Sequence, residues 1–165
     1  MYYLFKGLEV ILNFIRIKCK IIIWKLKYGK RIKIGKNLKF RKRFSINITN
    51  DGYLEIGDNN FFNNDCSINC HNKIIIGKYN LFGENIKIYD HNHIFNDKKI
   101  NIKKSFKNGE INIGNRNWFG TNVVILSKAT LKDYNVVAAG NIINQSYDSE
   151  NIIYSKDDVR KINFK

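Results

Sequence analysis

The 165-residue sequence has no proline, one methionine, two tryptophans and three cysteines. It has no unbroken apolar run of about 18 residues, the length that a membrane-spanning helix needs. Acidic residues are also scarce, 14 against 29 Lys and Arg, for a formal net charge of +15. Each shortage excludes something. Three cysteines, Cys19, Cys66 and Cys70, do not make a disulfide framework. Cys66 and Cys70 read instead as small core fillers. No small-residue cleavage site follows the N-terminal apolar stretch, so a reducing, cytoplasmic setting is expected. The acidic deficit favours an anionic partner: nucleic acid, anionic lipid, a phosphorylated cofactor or an acidic polysaccharide. The missing proline, with the abundance of Ile, Lys and Asn, equally fits an AT-rich compositional bias. Both readings of the charge stay open. No recognised nucleic-acid-binding motif is present.

What the chain does have is a period of six. Stepping by six from Ile34 gives Phe40 and Ile46. From Ile56 the steps are Phe62 and Ile68, and from Ile76 they are Phe82 and Ile88. From Ile113 they are Phe119, Ile125, Leu131, Val137 and Ile143. All of these positions are apolar in a chain that is 44% apolar overall. Neither a helix nor an ordinary strand has this period, so each short strand must be followed by a turn. The expected fold is an all-β solenoid, a parallel β-helix of hexapeptide repeats with three flat faces and five coils. Gly35, Gly57, Gly77, Gly83, Gly114 and Gly120 follow inward residues. Asn37, Asn59, Asn80, Asn85, Asn117 and Asn122 come three or four places after them. Both types are expected to serve left-handed backbone at the corners.

Three segments follow. Residues 1–30 are apolar but studded with Lys6, Glu9, Arg16, Lys18, Lys20, Lys25 and Lys27, which predicts an amphipathic α-helix. It has two compatible roles: capping the open end of the coil, or lying on an anionic membrane. Residues 31–147 form the solenoid. Its period breaks between Ile88 and Ile113, so a loop over 94–112 protrudes from one corner, and long excursions of this kind tend to be functional. Residues 148–165 close the structure.

The chain has three histidines, His71, His91 and His93. His71 and His91 fall three places after an inward residue in adjacent coils, so they should stack about one strand spacing, ~4.8 Å, apart. His93 falls at the corner where the loop leaves. Imidazole is the side chain best suited to general-base chemistry near neutral pH.

The run IGNRNWFGTNVVILSKATLKDYNVVAAG and the motif YDHNH resemble the hexapeptide-repeat acetyltransferases, in the galactoside/maltose acetyltransferase-like branch. The likeness is greatest to the capsule and lipopolysaccharide O-acetyltransferases, and covers residues 30–162. It implies a left-handed β-helix, whereas parallel crossovers are otherwise nearly always right-handed. It implies acetyl-CoA (coenzyme A) as co-substrate, no metal, and a homotrimer with the cofactor groove between subunits. It places the catalytic His at His93 and the site-lining Trp at Trp118. Thr121, Ala139 and Arg160 take cofactor-binding positions; Asn63, Asp90 and His91 take substrate-binding ones. Arg160 is the basic residue retained in KDDVR, where the family has Gly-Asn-Pro-Ala-Lys. Asp90 or a backbone carbonyl would fix the imidazole tautomer. Lys98, Lys99, Lys103 and Lys104 in the loop would meet cofactor or acidic glycan. The expected activity is acetyl transfer to a sugar hydroxyl of a bacterial surface polysaccharide or its precursor. The alternatives are N-acetylation of an amino sugar, a γ-carbonic-anhydrase-like metal enzyme using the three histidines, and a non-catalytic β-helical binding protein.

Overall fold

A computed structural model describes residues 2–49, 51–96, 99–100 and 106–162. Its body is a parallel β-solenoid of about six turns. One face is a six-stranded sheet running from Ile32–Ile34 to Ser146–Tyr147. The second starts at Lys39–Phe40 and the third at Ser45–Ile48. Pairing runs from each coil to the next in strict register. On the first face, Ile34 pairs with Ile56, Ile56 with Ile76, Ile76 with Ile113 and Ile113 with Leu131. The inward column expected from the six-residue period is therefore present. Two columns run one rung further, through Tyr147 and Ile153.

The periodic side chains fill the interior. All are buried except Ile34, which is partly buried against the core. The second-face column is aromatic: Phe62 and Phe82 stack with centroids 4.2 Å apart, and Phe82 and Phe119 at 4.7 Å. Burying each such side chain is worth about 1.5–3 kcal/mol.

The glycines have a different role from the one expected. Gly35, Gly57, Gly77, Gly83, Gly114 and Gly120 are not in left-handed conformations. They are needed because coils approach too closely for a side chain. A Cβ on Gly57 would lie 2.6 Å from the carbonyl oxygen of Gly77, and one on Gly77 would lie 2.5 Å from that of Gly114. The left-handed corner positions belong to Asn37, Asn59, Asn85 and Asn122, as expected, but also to Arg43, Asp65, Tyr79, Arg116 and Tyr134.

Asn80 and Asn117 have yet another role, in a buried ladder at the first corner. The side-chain oxygens of Asn60, Asn80, Asn117 and Asn135 accept from the backbone N–H of Asn80, Asn117, Asn135 and Asn151, at 2.8–3.0 Å. Asn80 Nδ2 also donates to the Gly114 carbonyl.

The N-terminal helix, Tyr2–Tyr28, closes one end. Ile17, Trp24 and Tyr28 are buried, and Trp24 packs on Phe40 and Phe44. The first coil has no coil before it, so its outer carbonyls need other donors. Arg16 donates to the carbonyls of Phe40 and Arg41, Lys20 to that of Phe44, and Tyr28 to that of Ile46. Gly29, at φ 56°, ends the helix in the left-handed region that glycine adopts without strain. At the far end, Val159–Lys161 pairs antiparallel with Asn151–Ile153.

Asn80→Ala should destabilise the solenoid by about 2–4 kcal/mol, because it orphans the buried Asn117 N–H and the Gly114 carbonyl. Urea unfolding of the variant beside wild type checks this. A loss under about 1 kcal/mol would show that the ladder is not a main source of stability.

Candidate active site

Two corners of the solenoid hold the residues singled out in the sequence. The histidines gather at the third corner, where the third face returns to the first. The chain leaves the coil there after Lys87–Tyr89, and His91–His93 pairs antiparallel with Phe106–Asn108. Phe95–Asn96 and Lys99–Ile100 form a second antiparallel pair further out. The excursion is thus a β-arm where its strands are described. Lys99 lies in the outer pair; Lys98, Lys103 and Lys104 lie outside the described residues.

The centre of the cluster is Asp90. Its carboxylate is fully buried and accepts four hydrogen bonds. His71 N–H donates to both oxygens at 2.8 and 3.1 Å, and Asn72 N–H donates to Oδ2 at 2.8 Å. His91 Nδ1 lies 2.9 Å from Oδ1. A carboxylate only accepts, so this contact places the proton of His91 on Nδ1 and leaves Nε2 as the basic nitrogen. The His91 side chain keeps 17% exposure, enough to reach solvent from a largely buried seat. His93, two residues on, shares its face of the strand and is exposed.

Sequence reasoning missed Phe106. Its ring contacts all three imidazoles, at 4.2 Å from His71, 5.3 Å from His91 and 4.7 Å from His93, centroid to centroid. His71 and His91 do lie on adjacent rungs, with ring centroids 5.1 Å apart and planes tilted by 42°. The cross-strand pair of His93 and Phe106 puts that ring among the imidazoles. It lies in the aperiodic excursion, so the six-residue period offered no signal for it. An apolar ring in this place is ill suited to a three-histidine metal centre, which needs its ligands to converge on one point.

His71 is buried, and its Nδ1 lies 2.9 Å from Thr49 Oγ1. Burial lowers its pKa below the ordinary 6.5; neighbouring His91 adds to this, and Asp90 opposes it. Below Asp90's chamber, burial and the Asp90 charge push the Cys70 thiol far upward, and burial raises Cys66. Both sit in the core as inert fillers.

The other residues line the second face and second corner. Trp118 stands on the outer side of the second face, 56% exposed, between Leu81 and Val136. Thr121 and Ala139 are exposed at the second corner, and the Thr121 hydroxyl donates to the Glu84 carbonyl. Gly120 packs so closely on Ala139 that a Cβ there would meet its backbone N at 2.6 Å. Asn63 belongs to the same corner, where its side chain accepts from Asn64 N–H. Arg160 pairs with Asp158 and lies over the Tyr154 ring. Within one chain the fold therefore brings His71, Asp90, His91 and His93 together. It sets Trp118, Thr121, Ala139 and Asn63 apart from them, at the other edge of the third face.

No family model matches the sequence. Solved structures do resemble the fold. A maltose O-acetyltransferase from Clostridium difficile 630 is 21% identical, with a TM-score of 0.62 over 80% of this chain and 69% of that one. A hexapeptide-repeat acetyltransferase from Vibrio cholerae is 23% identical, with a TM-score of 0.64 over 79% and 72%. A Vibrio cholerae O1 biovar eltor hexapeptide-repeat acetyltransferase complexed with acetyl coenzyme A is 20% identical, with a TM-score of 0.55 over 84% and 72%. The chain thus shares the β-solenoid fold of these proteins.

Because its folded pKa is lowered, neutral His71 contributes stability above its ordinary pKa, and that contribution is lost as pH falls towards the lowered value. Wild type should therefore lose more stability between about pH 7 and about pH 5 than His71→Asn does. Paired urea titrations test this, and parallel losses would remove His71 as the source.

Proposed function

We propose that this protein is an acetyl-CoA-dependent O-acetyltransferase acting on a sugar hydroxyl of a bacterial surface polysaccharide or its precursor, on the cytoplasmic side of the membrane. The observation that carries the reading is the buried Asp90 carboxylate holding Nδ1 of a partly exposed His91 at the root of the arm. Such a pair suits general-base catalysis: the carboxylate fixes the tautomer and stabilises the imidazolium that forms. The sequence reading gives the base to His93. The Asp90 contact favours His91 instead, with His93 beside it, facing acceptor. In the step proposed, His91 Nε2 takes the hydroxyl proton as the sugar oxygen attacks the thioester carbonyl. The C–S bond then breaks, and the coenzyme thiolate takes up the proton. Asp90 is a positioning residue.

The second corner suits the co-substrate. Gly120, Thr121 and Ala139 keep its later coils small and uncharged, beside the exposed Trp118. Backbone N–H groups in this stretch are the proposed oxyanion donors, each worth ~3–4 kcal/mol in acyl transfer. Arg160 is the proposed cation for the phosphates, exchanging Asp158 for them. Since histidines and thioester corner lie at opposite edges of one face, a complete site needs the second corner of a neighbouring copy. A cyclic trimer supplies it three times over. Structures resembling this fold include acetyltransferases, one of them complexed with acetyl coenzyme A, and this supports the reading.

Acetyl-CoA turnover should be scored on a panel of neutral, acidic and amino sugars. His91→Ala should lower turnover ~10²–10⁴-fold, and His93→Ala about tenfold or less. The reverse order would return the base to His93, and full activity in both would refute a histidine base. Sedimentation equilibrium should give three times the 19.4 kDa chain mass. A monomer at micromolar concentration would leave the proposed site without its second half.

A further inference from the structure

The positive charge is concentrated at one end of the molecule. Residues 1–50 carry fourteen Lys and Arg against one acid, Glu9, whereas residues 51–165 carry fifteen against thirteen. The solenoid beyond its first coil is therefore close to neutral. A partner drawn by the overall charge would therefore meet the helix and the first coil.

The same end carries the molecule's main exposed apolar surface. The helix docks through Ile17, Trp24 and Tyr28. On the opposite side, Leu8, Ile11, Ile15, Ile22 and Leu26 are each half or more exposed, Leu26 by 80%. At 100° per residue these five make one stripe, and the helix is about 40 Å long. Lys18 and Lys25 fall along one border of the stripe; on the other side Leu12 and Ile23, both exposed, widen it, and Lys27 lies beyond them. The first coil adds Lys30, Lys36, Lys39 and Lys42, all exposed. No helix among the described residues is long and apolar enough to cross a membrane.

We infer that this helix lies flat on an anionic lipid bilayer, its Leu8–Leu26 stripe in the acyl boundary and its lysines among the headgroups, holding the solenoid on the membrane surface. An apolar stripe with cationic borders and a rigid body on the far side is the pattern of an interfacial helix. A second copy is a poorer occupant. Pairing two such stripes would bring their lysine borders together, and like charges repel. The inference does not rest on the acetyltransferase reading; with it, the site would work at the membrane surface.

The test is co-sedimentation of the full chain with phosphatidylcholine vesicles, with and without phosphatidylglycerol. Binding should require the anionic lipid and weaken with salt. Lys18→Gln/Lys25→Gln should weaken it about fivefold per cation removed. Ile15→Gln/Ile22→Gln/Leu26→Gln should abolish it, with circular dichroism, sedimentation mass and turnover on soluble acceptor unchanged. Failure to bind anionic vesicles would overturn the inference, as would equal binding to neutral ones. So would a stripe variant that alters assembly mass yet still binds vesicles, since that would assign the stripe to a second copy. Because turnover is read separately, loss of membrane binding and loss of the proposed activity are distinguishable.

Discussion

The fold depends on satisfying backbone at the corners while coils stack about 4.8 Å apart. On the faces, parallel strands pair and the problem solves itself. At a corner the chain turns and the ladder would break. From the second coil on, the first corner spans the gap with buried asparagines, the side chain of each accepting from the backbone N–H of the next. Left-handed residues beside them pass N–H bonds down the same edge: Asn59 to Lys36, Tyr79 to Asp58, Arg116 to Lys78 and Tyr134 to Asn115. With the first two corners held, each coil spends six residues from one inward position to the next, as from Ile34 to Phe40 to Ile46, and the slips fall at the third corner. The period of six follows from that, as do the aligned isoleucine and phenylalanine columns.

This is why so much of the fold can be read from sequence. Each inward position is a single residue with few permitted types, so apolar identity at spacing six maps directly onto the column from Ile34 to Leu131. Corner residues are harder to read, because several physical demands select the same letters. Glycine after the inward residue suggests positive φ, yet Gly57 and Gly77 are selected by the close approach of the next coil's carbonyl. Asparagine suggests positive φ too; Asn59 obeys, while Asn80 turns its side chain inward to bridge coils. Tyr79, Arg116 and Tyr134 carry no sequence signal for left-handed backbone, which costs roughly 1–2 kcal/mol per residue outside glycine. Stacking offsets part of this: the Arg116 guanidinium lies 5.0 Å from the Tyr79 ring and 5.8 Å from that of Tyr134.

The candidate site was legible where it stays in phase and obscure where it leaves. The closeness of His71 and His91 comes straight from their shared place on adjacent rungs. The Asp90 contacts do not, because burial of its carboxylate depends on the chain turning outwards just beyond it. Phe106 is further still from sequence logic, being set by antiparallel pairing within the arm. The tie between Asp90 and His91 is the feature that shifts the proposed base two residues from the motif position.

A chemically active cluster also needs a break in the solenoid. Inside the regular coils, side chains have two destinations: a core with room only for apolar groups and bridging amides, or a flat outer face. Neither seats an imidazole half-buried beside a carboxylate. An excursion at a corner makes a third environment, provided the chain returns in phase. Here the antiparallel pair closes the arm, Gly109 N–H donates to the Asp90 carbonyl at 2.8 Å, and Glu110–Ile113 resumes pairing with Lys73–Ile76. The residue that anchors His91 is thus also the residue at which the chain re-enters the ladder. The reset of the period and the geometry of the cluster are one structural event, so the long excursion between Ile88 and Ile113 marks the candidate site more surely than any single histidine does.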